Sequence, residues 1–139
     1  MVKNNIKNES KPPLMRDLVM AGFPSPAEQY VEQALDLNDL LVKHPAGTFF
    51  VRAAGDSMRD AGILPGDILV VDRTLEAIPG NIVIASVNGD FTVKYLRKTA
   101  QGIMLEAANP EYENITFSKG SELELFGVVS SVVRQLDKR

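Results

Sequence analysis

A mostly β fold of short antiparallel strands, compact and built on a single core, follows from three observations. From Thr48 onward, short runs rich in Val, Ile and Phe recur, punctuated by Gly, Pro and Asn. An Asn-Gly pair at 88–89 separates two such runs, the favoured two-residue hairpin turn. No alternation of strand and helix supports a parallel sheet. A length of 139 residues suits one domain and is too short for two ordinary ones.

The chain opens on a polar, Asn/Lys-rich segment, residues 1–13, which ends in two prolines and reads as a flexible arm. Residues 14–21 turn apolar, and Gly22-Phe23-Pro24-Ser25-Pro26 then breaks the chain. A helix start follows, with Ser25 as N-cap, Pro26 in the first helical position and Glu28 completing a capping box. Tyr30, Val31, Ala34 and Leu35 recur at helical spacing, which predicts a helix ending near Asp36. A second short helix is expected over Leu37–Lys43, before Pro45.

Seven strands are expected thereafter: Thr48–Ala53, Ile68–Asp72, Asn81–Val87, Asp90–Arg97, Ile103–Ala107, Ile115–Phe117 and Leu123–Arg134, the last broken near Gly127 or Ser130. A type I′ turn at Asn88-Gly89 sets the hairpin register, with Val87 facing Asp90, Ala85 facing Thr92 and Val83 facing Lys94. Phe91, Val93 and Tyr95 then share an expected core face with Ile82, Ile84 and Ser86. Lys94 falls on the other face, among Val83, Ala85, Thr92 and Leu96, where it must face solvent or be covered by another segment.

Composition excludes several chemistries. With no Cys, there can be no disulfide, thiolate nucleophile or Cys-based metal site. One histidine, His44, cannot build a His-rich metal centre. No apolar run approaches the ~18 residues of a membrane span, and the basic N-terminus lacks the apolar stretch of a secretory signal, so a cytoplasmic protein is the expectation. The net charge of −3 conceals an asymmetry. Residues 1–21 hold four basic and two acidic groups, and the remainder holds 11 basic and 16 acidic ones. An acidic body is poorly suited to binding nucleic acid on its own.

Two residues could carry chemistry. Ser57 stands where a strand gives way, through Gly55-Asp56-Ser57-Met58, to a possible helical turn. There a hydroxyl can be exposed beside unpaired backbone N–H groups, although Gly-Asp-Ser is also an ordinary turn. A nucleophilic serine needs a base. His44, beside Pro45, reads more simply as structural, and lysine can serve instead. Lowering a lysine from about 10.4 to roughly 7–8 costs on the order of 4 kcal/mol, which apolar burial can impose. Lys94 is the lysine with such a setting, though a strand lysine is more often solvated.

Gly55-Asp56-Ser57-Met58 with Gly62-Ile63-Leu64-Pro65-Gly66-Asp67-Ile68-Leu69-Val70-Val71-Asp72 resembles the nucleophile region of the LexA-like self-cleaving serine peptidases. Phe91-Thr92-Val93-Lys94-Tyr95-Leu96 resembles their lysine strand, 37 residues on from Ser57. Ala21-Gly22-Phe23-Pro24-Ser25-Pro26-Ala27 resembles the self-cleavage site of the UmuD-type SOS mutagenesis branch. Only 21 residues precede that bond, too few for a DNA-binding domain, which favours this branch over the repressors. Ala21 stands where the branch commonly has Cys.

The resemblance implies a Ser-Lys dyad, with Ser57 as nucleophile, Lys94 as general base, and Asp56 and Met58 flanking the nucleophile in the oxyanion-holding turn. It implies cleavage between Ala21 and Gly22 without cofactor or metal. The chain would then divide into an arm, 1–21, released by cleavage; a flank with short helices, 22–47; and a β-rich peptidase domain, 48–139. A recombinase filament on single-stranded DNA would trigger the cut. The trimmed homodimer would serve an error-prone Y-family DNA polymerase, with no sequence-specific DNA binding and no membrane. The run Phe126–Val133 could form a dimer edge or a core strand. The alternatives are a fragment of a LexA- or phage-type repressor and a non-enzymatic binding module.

Overall fold

The computed structural model describes residues 11–16, 18–19, 21–22, 31–117 and 123–139. It divides after Leu41 into two units. The first contains strands β1 (Pro13–Met15) and β2 (Val31–Ala34) and the helix α1 (Leu37–Leu41). β1 and β2 run antiparallel, Pro13 opposite Ala34 and Leu14 opposite Gln33. The Leu35 N–H extends the pairing by donating to the Pro12 carbonyl at 2.8 Å.

Here the structure corrects the sequence reading. Val31–Ala34 is strand, not helix, and the expected cap at Ser25, Pro26 and Glu28 lies outside the described residues. A handful of apolar positions at helical spacing does not offset the cost of nucleating a helix, whereas a partner strand satisfies the backbone directly. Asp36 starts a helix instead of ending one: its Oδ1 accepts the Asn38 N–H at 2.9 Å, capping α1. α1 stops at Leu41, two residues before the expected end. Pro13, assigned to the flexible arm, is the first residue of β1, and residues 1–10 lie outside the described residues.

The second unit is one seven-stranded sheet. Its strands are β3 (Thr48–Arg52), β4 (Ile68–Asp72), β5 (Ile82–Val87), β6 (Asp90–Thr99), β7 (Gly102–Glu106), β8 (Ile115–Thr116) and β9 (Leu123–Val133). All seven expected strands are present, with ends displaced by no more than two residues. Neighbours pair antiparallel in the order β3-β4-β9-β5-β6-β7-β8. Asn88 and Gly89 both adopt positive φ, 51° and 92°, as a type I′ turn requires. The hairpin register matches expectation at all three predicted pairs.

β9 is bulged, not broken. Phe126 has no partner opposite the Ile84–Ala85 step, and Ser130 has none opposite the Val70–Val71 step. Gly127 lies next to the first irregularity because a Cβ there would stand 2.6 Å from Val71 Cγ1 and 3.1 Å from the Asp72 carbonyl oxygen. The bulges lie in the one long strand that bonds to both β4 and β5.

Both faces of the sheet are covered. Met58, Ile63, Leu69, Val71 and Ile84 form one cluster, and Val83, Ala85, Leu96, Leu105 and Val128 form the other. The expected core face of the hairpin is only partly dry: Ile84 is buried, but Phe91 is 68% exposed. Near the turn this face borders an open cleft, where the Phe91 ring lies 4.9 Å from that of Phe126. The face carrying Lys94 is the drier one, with Val83 and Ala85 wholly buried.

Candidate active site

Ser57 is positioned by its neighbours. β3 ends at Arg52, and Gly55 takes a left-handed φ of 73° that turns the chain. Met58, 1% exposed, plugs the first core cluster, and a short 3-10 turn over Arg59–Ala61 begins directly after it. Burial of Met58 anchors the turn from below and leaves the preceding serine in the wall of a cleft. That cleft has a volume of about 510 Å³ and is lined by Phe49, Val51, Leu69, Ile84, Phe91 and Phe126.

Lys94 is placed by the hairpin. β7 pairs with β6 only from Tyr95 onward, so the edge of β6 beside Lys94 has no strand next to it among the described residues. The lysine side chain bends to that edge. Its Nζ lies 3.0 Å from Ser57 Oγ, 2.6 Å from Thr92 Oγ1 and 3.2 Å from the Val93 carbonyl oxygen. All three partners are neutral. The residue is 7% exposed, and this burial pushes its pKa below the ordinary lysine value. An uncharged amine here can donate to Thr92 and Val93 while its lone pair faces the Ser57 hydroxyl. The sequence reading put Thr92 on this face without giving it a part in the site.

A second element, absent from the sequence reading, grips the nucleophile turn. The segment after β7, Ala107–Tyr112, lies against it. Ala108 N–H donates to the Ser57 carbonyl at 2.8 Å, and Asp60 N–H donates to the Ala108 carbonyl at 2.8 Å. Asn109, 3% exposed, donates from Nδ2 to the Asp56 carbonyl at 2.9 Å. The Tyr112 hydroxyl donates to Asp56 Oδ1 at 2.6 Å, and its own pKa is raised mainly by that bond. A buried Asn-Pro in a loop was the only available sequence signal, and it reads as a plain turn.

The other sequence candidates fall elsewhere. His44 bonds through Nδ1 to Asp72 Oδ2 at 2.7 Å, a structural pairing as the sequence suggested. Ala21 and Gly22 are exposed residues of the first unit. Asp56 and Met58 flank Ser57, the first tied to Tyr112 and the second buried. No helix among the described residues is long and apolar enough to cross a membrane.

A serine and a buried lysine thus stand within hydrogen-bonding distance at the side of an apolar cleft on a β scaffold, a pairing of hydroxyl and amine that can carry nucleophilic chemistry. Comparison with known proteins agrees. A family described as Peptidase S24-like matches residues 13–130, and the chain belongs to that family. The protein SamA of Salmonella typhimurium is 44% identical over 127 residues, covering 91% of this chain and 88% of SamA. ImpA of Escherichia coli is 44% identical over 124 residues, covering 88% of this chain and 83% of ImpA. A LexA repressor of Paracidovorax citrulli is 40% identical over 116 residues, covering 84% of this chain but only 51% of the repressor. The resemblance read from the sequence therefore holds.

Proposed function

We propose that this chain is a self-cleaving serine peptidase of the SOS mutagenesis type, with Ser57 and Lys94 as its dyad. The observation that carries the reading is the 3.0 Å approach of Lys94 Nζ to Ser57 Oγ, with the amine buried and, among the described residues, bonded only to neutral groups. Lys94, uncharged, takes the Ser57 proton as Oγ attacks the Ala21 carbonyl carbon. Backbone N–H groups of the Asp56–Met58 turn hold the oxyanion. The Ala21–Gly22 bond breaks, and the Gly22 nitrogen receives the proton from Lys94. Water then attacks the acyl carbon as Lys94 takes its proton, the acyl–Oγ bond breaks, and Lys94 passes the proton to Oγ, restoring Ser57 and the uncharged amine.

Small residues on both sides of the bond let an extended segment enter a narrow cleft, and the apolar run before it suits the lining of the cleft. Tethering raises the effective concentration of the bond, so a modest dyad suffices. By the resemblance to the UmuD-type branch, the trimmed product, residues 22–139, acts as a cytoplasmic homodimer. In this reading the dimer works with an error-prone Y-family polymerase, and a recombinase filament on single-stranded DNA triggers the cut.

Incubating the parent chain near pH 10 should release residues 1–21, identified by mass. Ser57→Ala and Lys94→Ala should each slow release by roughly 10³-fold or more and keep the fold. Release at a different bond, or continued cutting by either variant, would overturn the assignment. Loss of cutting in His44→Ala but not in Lys94→Ala would move the base to His44.

A further inference from the structure

The Asp56–Ser57–Met58 turn carries two carbonyls that point at one loop. The Asp56 carbonyl accepts Asn109 Nδ2 at 2.9 Å as well as the Arg59 N–H of its own turn at 3.1 Å, and the Ser57 carbonyl accepts the Ala108 N–H at 2.8 Å. In a trans peptide unit the C=O and the following N–H point in opposite directions. Fixing the Asp56 carbonyl therefore directs the Ser57 N–H away from the loop, and fixing the Ser57 carbonyl does the same for the Met58 N–H. Neither N–H donates to an acceptor among the described residues. Two successive N–H groups turned to one side form an anion-binding nest.

From this we infer that Asn109 is a positioning residue of the reaction. It acts through the Asp56–Ser57 peptide plane, which it holds so that the Ser57 N–H faces the developing oxyanion. The inference rests on the Ser57–Lys94 reading above. Several features separate Asn109 from an ordinary loop residue. It is 3% exposed, and both ends of its amide are engaged: Nδ2 donates one bond to the turn, and Oδ1 accepts the Glu111 N–H at 3.0 Å and Arg59 Nη2 at 3.5 Å. Its orientation is anchored locally by Glu111 and across the fold by Arg59, and the group it orients is 53 residues away in sequence. No bond joins Asn109 to Lys94, so the base and the oxyanion donor are held by separate parts of the fold.

That separation supplies the test. The full-length parent, Asn109→Ala, Asn109→Asp and Ser57→Ala are incubated from pH 7 to 11. The first-order release of residues 1–21 is followed by mass spectrometry, with a thermal melt of each variant alongside. The plateau rate should fall roughly 10²-fold in both Asn109 variants, the usual loss when an oxyanion donor is misplaced. The pH midpoint, set by Lys94, should stay at the parent value. A parental plateau in either folded variant would overturn the inference. So would a midpoint raised to that of free lysine with the plateau intact, which would make Asn109 a guardian of lysine burial. Failure of both variants to fold would reduce Asn109 to a stability residue and also end the proposal. A parent that stays whole at every pH, or a Ser57→Ala variant that cuts, would instead bring down the underlying reading.

Discussion

Lys94 and Asp67 are both ionisable residues withdrawn from water, 7% and 2% exposed, and the fold treats them in opposite ways. Asp67 receives a two-pronged bond from Arg134, Nε to Oδ1 and Nη2 to Oδ2, each 2.6 Å, and the Leu64 N–H at 2.7 Å. The Arg134 bond holds the Asp67 carboxyl below the usual carboxylate range despite its burial. Lys94 is given two hydroxyls and a carbonyl, none of which balances a positive charge. Asp72, 4% exposed, follows the Asp67 pattern, with His44 and Thr74 around it. Where this protein wants a stable charge it supplies a partner for it. Around Lys94, the base of the proposed reaction, the described residues supply no opposite charge within bonding distance.

Replacing Lys94 tests the contrast most severely. Lys94→Met should abolish self-cleavage while leaving the melting temperature at pH 7 equal to or above that of the parent, because a cation without a counter-charge leaves a dry site. The sign of the pH effect also follows. The folded-state pKa of Lys94 lies below its unfolded value, so between the two the unfolded chain binds the extra proton. Parent stability should therefore gain from this group as pH rises toward 10.5, and the gain should be missing in Lys94→Met. A melting temperature for Lys94→Met well below the parent would mean that the amine is structural.

Arg134→Met should do the reverse. It leaves the Asp67 carboxylate buried without its main partner, so the melting temperature should drop by several degrees. Self-cleavage measured well below the new melting temperature should persist. A melt unchanged from the parent would break the comparison from the other side.

The smallest effect concerns acid. Asp72 is pushed down to about 2, first by the His44 bond and then by Thr74. Its contribution to stability is complete above an unfolded pKa near 3.8 and fades as pH falls toward 2. His44→Gln removes the leading cause, so acid unfolding followed by circular dichroism should begin at a higher pH. An unmoved acid limb would show that Thr74 alone holds the carboxylate.

How much of this was legible in the sequence differs by element. The Asn88-Gly89 turn fixed the register of Lys94, because a two-residue turn leaves no freedom in which residues face each other. The Gly55–Met58 run marked Ser57 through local turn chemistry. The helix expected through Tyr30–Asp36 failed because four apolar positions at helical spacing could not reveal that Pro13–Met15 would offer a partner strand. The depth of each hairpin face was also misjudged. Alternation tells which residues share a face, but the dryness of that face depends on segments far away, such as Leu105 and Val128. The grip of Asn109 on the nucleophile turn was invisible for the same reason: it joins loops 53 residues apart, and neither loop advertises the other.

The strand order has a temporal side. β9 follows the other described strands in sequence, yet it lies between β4 and β5, bridging the half of the sheet that leads from the serine turn to the half that bears the lysine. Until β9 is made, the chain can form either hairpin, but it lacks the plank that sets them side by side. In the proposed reading, Ser57 and Lys94 come together only once β9 has docked between those two hairpins, so the reactive pair is a product of the completed sheet and not of either half alone.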